Sequence, residues 1–311
     1  MITRYLMDKD NPSPTANEAW VGLLHTILDC GDITNPRGLK TVELLGKQTV
    51  FDMNYPIVTS ANRKLGYRFM AAEAWWILSG SNRLDEIKPY SKMIEKFSDD
   101  GFTFRGAYGP KVMEQVPYVV DTLLKDPDSR QAVMTIWRER PGPSKDIPCT
   151  VSAQWVLRRD REKALRLHCF VNMRSSDAWL GVPYDWFNFS MISLFIATML
   201  HDLQEKNAPQ CVERIYLGDM CFTAGSQHLY EQHWEPAKDC TFDDKELFKY
   251  EPINPFDWER DPYELVSHLK SLADHNVSAF NDGEHCAMFT ELLDIKKETP
   301  SDDGESAPRG Y

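Results

Sequence analysis

Several features by which proteins are often classified are missing from this chain. Its seven cysteines include no Cys-x-x-Cys pair, which argues against a zinc ribbon and indicates reduced thiols in an intracellular protein. No glycine-rich cofactor loop is present. The longest apolar run, 191–200, contains Ser193 and Thr198 and is too short to span a bilayer. The first residues lack the apolar stretch of a signal peptide, so we expect a cytoplasmic location and no membrane contact.

Positive charge is also scarce. The chain has 35 Lys and Arg against 47 Asp and Glu, which gives a net charge of −12. Binding to DNA or RNA requires a surplus of cations, so a nucleic-acid polymer is disfavoured as the main ligand, whereas a small anion needs only a few local arginines. A length of 311 residues and a hydrophobic content of 42% indicate a globular protein with a substantial core.

The spacing of apolar residues predicts helices and strands in an irregular order. Helices are predicted over 17–30, 66–79, 112–125, 186–203, 224–234 and 263–275, and strands over 40–52, 131–137, 151–157, 164–173 and 214–219. Because no regular βαβ alternation is present, an α+β fold is favoured over a doubly wound one. We predict one domain over 1–295, with a loop at 235–262 that holds one strand near Lys249, and a disordered polar tail over 296–311.

Residues suited to chemistry concentrate in two stretches. Pro148-Cys149 ends a Pro/Gly loop, and the run 174–185 follows it with an arginine, a serine, two carboxylates and a Gly-Val-Pro turn. A cysteine near arginines can act as a thiolate nucleophile, although most buried cysteines behave as small hydrophobic residues. The combination predicts covalent chemistry on a nucleotide.

Other candidates are ambiguous by residue type alone. Glu73 stands among apolar residues, so it either belongs to the polar stripe of its helix or is a buried carboxyl that can transfer protons. Arg37, Arg130 and Arg174 each resemble surface arginines, and only if they converged would they form a phosphate clamp.

A His-x-Tyr pair, His228 and Tyr230, has the chemistry to bind a sugar hydroxyl. On the helix predicted over 224–234, this spacing would place the two side chains on different faces. The pair therefore carries little weight alone.

Taken in order, the motifs of this chain resemble those of the thymidylate synthase superfamily over roughly residues 30–235. They are Asn35-Pro36-Arg37-Gly38, Glu73-x-x-Trp76-x-Leu78-x-Gly80, Tyr108-Gly109, Asp126-Pro127-Asp128-Ser129-Arg130, Pro148-Cys149, Gln154, the run 174–183, and Gly218-Asp219 leading to His228-Leu229-Tyr230. Each motif is weak, but the ordered set is specific. The resemblance implies an α+β thymidylate synthase-like fold, in which helices pack on a mixed or antiparallel sheet and one sheet face forms a homodimer.

The same resemblance implies a role for each motif. Cys149 would add to C6 of a pyrimidine nucleotide, which makes C5 nucleophilic toward the one-carbon unit of 5,10-methylenetetrahydrofolate. Glu73 would organise water and proton transfer, and Tyr108 would line the site. The 5′-phosphate would be bound by Arg37, Arg174, Ser175 and by Arg130, which the other subunit donates. His228 and Tyr230 would bind the sugar 3′-hydroxyl, and Asp177 and Gly181 would face the folate. No metal is implied.

Two departures from the family pattern point to one branch. Thymidylate synthases carry Pro-Phe-Asn where this chain has Pro183-Tyr184-Asp185. The asparagine amide reads uracil, whereas a carboxyl group accepts from cytosine N4 and, when protonated, donates to N3. Ile94 stands where a family tryptophan shields the exocyclic methylene at the folate, which favours attack by water. Both departures resemble the deoxycytidylate and cytidylate 5-hydroxymethylases.

Several alternatives stay open at this stage. The resemblance favours dCMP as the substrate. Gln131 stands where the family has a second arginine, and this departure in the phosphate clamp retains CMP as an alternative. The polar tail at 296–311 leaves the closure of the folate site unexplained. Asp185 is also suited to be the N-cap of the helix predicted over 186–203. Rival functions are thymidylate-type methylation of dUMP or dCMP, a non-catalytic nucleotide-binding regulator, and a DNA cytosine methyltransferase. Cys149 and Glu73 disfavour the regulator, and the acidic charge disfavours the DNA enzyme.

Overall fold

A computed structural model describes residues 12–139, 141–240, 242, 250–255 and 261–274. The main helices are α1 (Ala16–Cys30), α2 (Tyr67–Leu78), α3 (Leu84–Ile87), α4 (Gly109–Lys125), α5 (Val182–Asn207), α6 (Trp234–Lys238) and α7 (Pro262–Asp274). The strands are β1 (Asp32–Thr34), β2 (Thr41–Asp52), β3 (Val133–Thr135), β4 (Thr150–Arg159), β5 (Leu165–Asp177) and β6 (Ile215–Tyr230). The strand predicted near Lys249 and the tail from 296 onward lie outside the described residues.

The strands form one mixed sheet in the order β1-β2-β6-β5-β4-β3. Neighbouring strands are antiparallel except β5 and β6, which run parallel. The predicted α+β class with a mixed sheet packed by helices is therefore confirmed. The two longest strands, β5 and β6, lie at the centre of the sheet, so side chains near their C-terminal ends lie next to one another.

One face of the sheet packs on α5. Every residue of this helix from 182 to 198 is buried, as expected for a helix that carries apolar residues on all sides. Trp186 stacks on Phe51 of β2 with ring centroids 4.6 Å apart, and Trp155 Nε1 of β4 donates a 2.9 Å hydrogen bond to Ser193 Oγ. The helix predicted over 186–203 therefore extends further at both ends and spans the core.

The other face of the sheet is only half buried. Along β4, buried Ala153 and Trp155 alternate with the partly exposed Ser152, Gln154 and Val156. This alternation is the normal pattern of a strand with one face on the core and the other turned away from it.

Strand β6 overturns two predictions. The helix predicted over 224–234 is wrong, and the short strand predicted over 214–219 continues to Tyr230. The cause is tertiary, because β6 hydrogen-bonds to β2 on one side and to β5 on the other along most of its length. Helix α6 begins only after a 3₁₀ turn at Glu231–His233.

Candidate active site

Most of the predicted site residues line one cavity between α2, α5, the end of β5 and the loop that precedes β4. These are Glu73, Ile94, Tyr108, Cys149, Ser175, Asp177, Gly181 and Asp185. They come from distant parts of the sequence, and the fold brings them to one place.

The backbone around Cys149 is held by Arg174. The Arg174 main-chain N–H donates to the Cys149 carbonyl oxygen at 2.8 Å. Its guanidinium Nε and Nη2 donate to the carbonyl oxygens of Pro148 and Ile147 at 3.1 and 3.2 Å. Arg174 lies within β5, not in a turn, so the end of the strand directly supports the loop that carries Cys149.

Tyr108 supports the other side of the same loop. Thr150, the residue after Cys149, donates to the Tyr108 hydroxyl from its backbone N–H at 3.3 Å and from Oγ1 at 2.9 Å. The Tyr108 ring lies 6.3 Å from the Phe189 ring of α5. The tyrosine therefore connects the cysteine loop to the central helix.

Cys149 differs from the other described cysteines in its surroundings, because it is the one that lines the cavity. Burial raises the pKa of Cys169 to about 12 and that of Cys221 to about 11. Those two thiols remain protonated at neutral pH and are poor nucleophiles. Cys149 is only partly buried and is the cysteine that a ligand in the cavity can reach.

Glu73 is buried, with 1% of its surface exposed, and does not lie on a polar stripe. Asn188 of α5 donates to it from Nδ2 to Oε2 at 2.6 Å. The Oδ1 atom of Asn188 is buried and has no hydrogen-bond partner among the described residues. Sequence reasoning missed Asn188, although its position three residues after Asp185 on an apolar helix places both residues on one side of α5.

Asp177 lines the cavity, and its two carboxylate oxygens differ in their surroundings. Its Oδ1 accepts the backbone N–H groups of Trp179 and Leu180 at 2.8 and 2.9 Å. Its Oδ2 is buried and has no partner among the described residues. Because buried acceptors are normally satisfied, this oxygen is a place where a ligand N–H can bind.

Asp185 lies inside the first turn of α5. The N-cap residue is Gly181 and the helix begins at Val182, so the N-cap alternative for Asp185 is wrong. Its backbone N–H donates to the Gly181 carbonyl oxygen at 2.9 Å, and its side chain lines the cavity. A Cβ at position 181 would lie 3.4 Å from Asp185 Oδ2 and 3.2 Å from the Asp177 carbonyl oxygen, so glycine keeps this corner open.

The His-x-Tyr pair sits on a strand, which corrects the expectation that its members face apart. Residues two apart on a strand share a face, and the His228 and Tyr230 rings meet edge to face at 5.3 Å. Ser175 Oγ of β5 lies 3.5 Å from His228 Nδ1. The pair therefore lies beside Ser175, at the edge of the cavity.

Comparison with known families agrees with this geometry. The thymidylate synthase family matches residues 18–245, which is most of the chain. The chain belongs to the thymidylate synthase family. As a member, it is a one-carbon transferase that acts on a pyrimidine nucleotide with methylenetetrahydrofolate as co-substrate. The superfamily prediction is confirmed, and the match does not distinguish methylation from hydroxymethylation.

The three arginines assigned to phosphate lie in different surroundings. Arg37 is exposed, in the left-handed region with φ 54°, and its Nη2 lies 3.5 Å from the Tyr230 hydroxyl. Arg174 is held by the cysteine loop. Arg130 is exposed and does not line the cavity, and its carbonyl oxygen accepts a 2.8 Å hydrogen bond from Gln154.

Apolar and aromatic side chains form the remaining wall, which suits the planar rings of the family's substrates. They include Phe69, Trp76, Ile94, Phe97 and Phe104. Trp76 meets Phe104 edge to face at 5.5 Å, and its indole N–H donates to the Arg83 carbonyl oxygen at 3.1 Å. These contacts keep the wall rigid.

The described residues include no group of three or more His, Cys, Asp or Glu side chains that is suited to a metal ion. None of the helices in the described segments is long and apolar enough to cross a membrane.

Proposed function

We propose that this family member hydroxymethylates C5 of a cytosine nucleotide, with dCMP as the favoured substrate and CMP as the second candidate. The reaction converts 5,10-methylenetetrahydrofolate, dCMP and water into tetrahydrofolate and 5-hydroxymethyl-dCMP. The observation that carries the proposal is the Asp185 carboxyl group, which lines the same cavity as Cys149 and Glu73.

The choice of base follows from hydrogen-bond chemistry. Uracil presents an N3–H donor and an O4 acceptor, which an asparagine amide satisfies. Cytosine presents an N4 amino donor and an N3 acceptor, which a protonated carboxyl group satisfies. A buried site that is built for one pattern rejects the other, because a mismatch leaves desolvated groups unpaired.

Cys149 is proposed as the nucleophile. Its sulfur adds to C6 of the pyrimidine, and the electron density that moves to C5 attacks the one-carbon unit of the co-substrate. The hydrogen bonds from Arg174 to the loop carbonyls support this role, because they hold the backbone that carries the thiol. Glu73, buried beside the cavity and bonded to Asn188, is proposed to organise water and transfer protons.

Ile94 supports water as the final nucleophile. It lies in the cavity wall, in the 3₁₀ segment Lys92–Phe97, at the position where the family has a shielding tryptophan. An isoleucine is smaller than a tryptophan, so water has more room beside the exocyclic carbon. Addition of water there gives a hydroxymethyl product, whereas hydride delivery from folate gives a methyl product.

We propose that the cavity also binds the co-substrate, because its lining offers a suitable acceptor. Asp177 Oδ2 is a buried acceptor that is suited to the N–H groups of a pterin, and Gly181 keeps the adjoining corner open. The aromatic wall provides the flat apolar surface that such a ring needs. We therefore assign Asp177, Gly181 and Ile94 to the folate side of the cavity.

The phosphate and sugar are assigned to the side of the cavity where β5 meets β6. Arg174 and Ser175 lie there with His228 and Tyr230 on the neighbouring strand, and the Arg37 guanidinium lies beside the Tyr230 hydroxyl. We propose that the half-buried sheet face pairs two subunits and that Arg130 completes the phosphate site of the other subunit. Its exposure and its absence from the lining of its own cavity support this arrangement.

One experiment tests the reaction and the base together. The protein is incubated with methylenetetrahydrofolate and, separately, CMP, dCMP, UMP or dUMP, and the products are weighed by mass spectrometry. We expect the cytosine nucleotides to gain CH₂O without formation of dihydrofolate. Gain of CH₂ with dihydrofolate would establish thymidylate-type methylation instead, and nucleotide binding without any product would establish a regulator. Cys149→Ser is the control, with no turnover expected and an unchanged fold.

A further inference from the structure

The loop that carries Cys149 is tied to the segment 98–108 by two aspartates. Gly106 donates its backbone N–H to Asp146 Oδ2 at 2.6 Å. Asp99 accepts from the Ser144 hydroxyl at 2.5 Å and from the Lys145 backbone N–H at 2.9 Å. These bonds cross between parts of the chain about forty residues apart, so they set the position of the loop relative to the cavity wall.

The contact at Gly106 leaves no space for a side chain. A Cβ at this position would lie 2.5 Å from the Asp146 carbonyl oxygen and 2.9 Å from its Cγ atom. Any larger residue would push the two backbones apart, because real Cβ contacts are never this short. The bond from Gly106 to Asp146 therefore depends on close approach of the two segments.

The position of Asp146 affects the position of the Cys149 thiol. It lies three residues before Cys149, and both residues line the cavity. Between them, Ile147 and Pro148 are held through their carbonyl oxygens by Arg174. The backbone from 146 to 149 is thus held at its first residue by the bond between the Asp146 carboxylate and Gly106. The Arg174 guanidinium holds the two residues that follow.

We propose that Asp146 is a positioning residue for Cys149. Its carboxylate accepts the Gly106 N–H and thereby sets the reach of the thiol into the cavity. This inference rests on the proposed role of Cys149 as nucleophile. A displacement of about 1 Å at a reacting atom costs about 100-fold in rate, so loss of this tether lowers kcat more than it lowers binding.

The test compares two substitutions at Asp146 with a matched control. Asp146→Ala removes the acceptor, whereas Asp146→Asn keeps an acceptor oxygen and removes the charge. Asp160→Ala is the control, because the Asp160 carboxylate likewise accepts from backbone N–H groups, at 2.9 and 3.0 Å, and from Arg166 Nε at 2.8 Å, but in the turn at the far end of β4. For each protein, kcat, KM and Tm are measured, together with the rate of Cys149 alkylation by iodoacetamide, followed by peptide mass mapping.

We expect Asp146→Ala to lose about 100-fold in kcat with a much smaller change in KM, and its Cys149 to be alkylated faster because the loop is released. Asp146→Asn should retain most of the turnover and the wild-type alkylation rate. The control should match the wild-type protein in both readouts. The proposal is overturned if Asp146→Ala behaves like the wild type, or if Asp146→Asn is as inactive as Asp146→Ala, which would assign the effect to charge.

A second variant keeps the test decisive if Asp146→Ala does not fold. Gly106→Ala leaves the carboxylate in place but forces the two segments apart, so it should reproduce the slow turnover and the faster alkylation. If Gly106→Ala behaves like the wild type, the proposal that the bond between Gly106 and Asp146 positions Cys149 is wrong. The alkylation arm needs no nucleotide or folate, so failure of the proposed reaction appears as absent turnover in the wild-type protein and leaves the alkylation comparison intact.

Discussion

Asn188 on α5 donates a 2.6 Å hydrogen bond from Nδ2 to Oε2 of Glu73 on α2, and both side chains are buried. The bond joins the central helix to the carboxylate proposed for proton transfer. Both side chains are removed from water, so loss of this hydrogen bond is costly. The pair therefore contributes to both the stability and the geometry of the cavity.

Removal of the Asn188 amide should reduce stability and turnover together. We expect Asn188→Ala to lower the free energy of unfolding by roughly 1–3 kcal/mol, since the buried Glu73 carboxyl group loses this hydrogen bond, and to slow turnover. Urea denaturation and kcat measure the two effects. Ser190→Ala is the matched control, because Ser190 is buried on the same helix and bonds only its own turn, donating to the Trp186 carbonyl oxygen. Equal losses of activity in both variants would contradict a specific role for Asn188.

Asp185→Asn should change the preferred base. We expect it to lose activity on cytosine nucleotides and gain activity on uracil nucleotides, with a change in kcat/KM worth roughly 1–3 kcal/mol or more for each base. Asp202→Asn serves as the control, since Asp202 is on the same helix and pairs with Lys206 at 2.7 Å. An unchanged cytosine preference in Asp185→Asn would remove the main support for a cytidylate enzyme.

Mixing two inactive variants tests the shared site. Cys149→Ala and Arg130→Ala, combined under conditions of subunit exchange, should recover about a quarter of the wild-type activity, because half of the dimers are mixed and each mixed dimer has one intact site. The control mixes Cys149→Ala with Arg174→Ala, where both changes affect the site of their own chain and no intact site forms. Absence of recovery in the first mixture, with exchange demonstrated, would contradict donation of Arg130 across the interface.

His168 should make the fold sensitive to mild acid. Its Nδ1 accepts the Asp219 backbone N–H at 3.0 Å, and burial, together with Arg166 and Arg158, lowers the pKa of His168 to about 4. Between its ordinary pKa near 6.5 and this value, the unfolded chain binds a proton that the folded chain does not. Stability therefore falls as the pH drops through this window, by roughly 3 kcal/mol at most.

The measurement is urea unfolding at pH 7 and pH 5 for the wild type and for His168→Gln, at one protein concentration. Glutamine offers an acceptor oxygen but does not titrate, so the variant should lose less stability than the wild type between the two pH values. Parallel pH dependence in the two proteins would show that another group is responsible.

The amino-acid sequence alone determined the family and named most of the predicted residues that line the candidate site. Short motifs such as Pro148-Cys149 and the run 174–185 are local, and their order along the chain is visible without coordinates. The helices predicted over 17–30, 66–79 and 263–275 agree with α1, α2 and α7 to within about one residue, because strong apolar periodicity is a local property. The aspartate at 185 was likewise visible as a departure from the family pattern.

Only the tertiary structure decided how these pieces meet. The β6 segment was predicted in part as a helix because its pairing partners lie far away in the sequence, where Thr41 pairs with Tyr230 and Asp177 with His228. The same long-range contacts place Asn188 against Glu73 and Gly106 against Asp146. Sequence periodicity reports which side of an element is apolar, but a hydrogen bond between two distant residues depends on the packing of whole elements, which no local pattern contains.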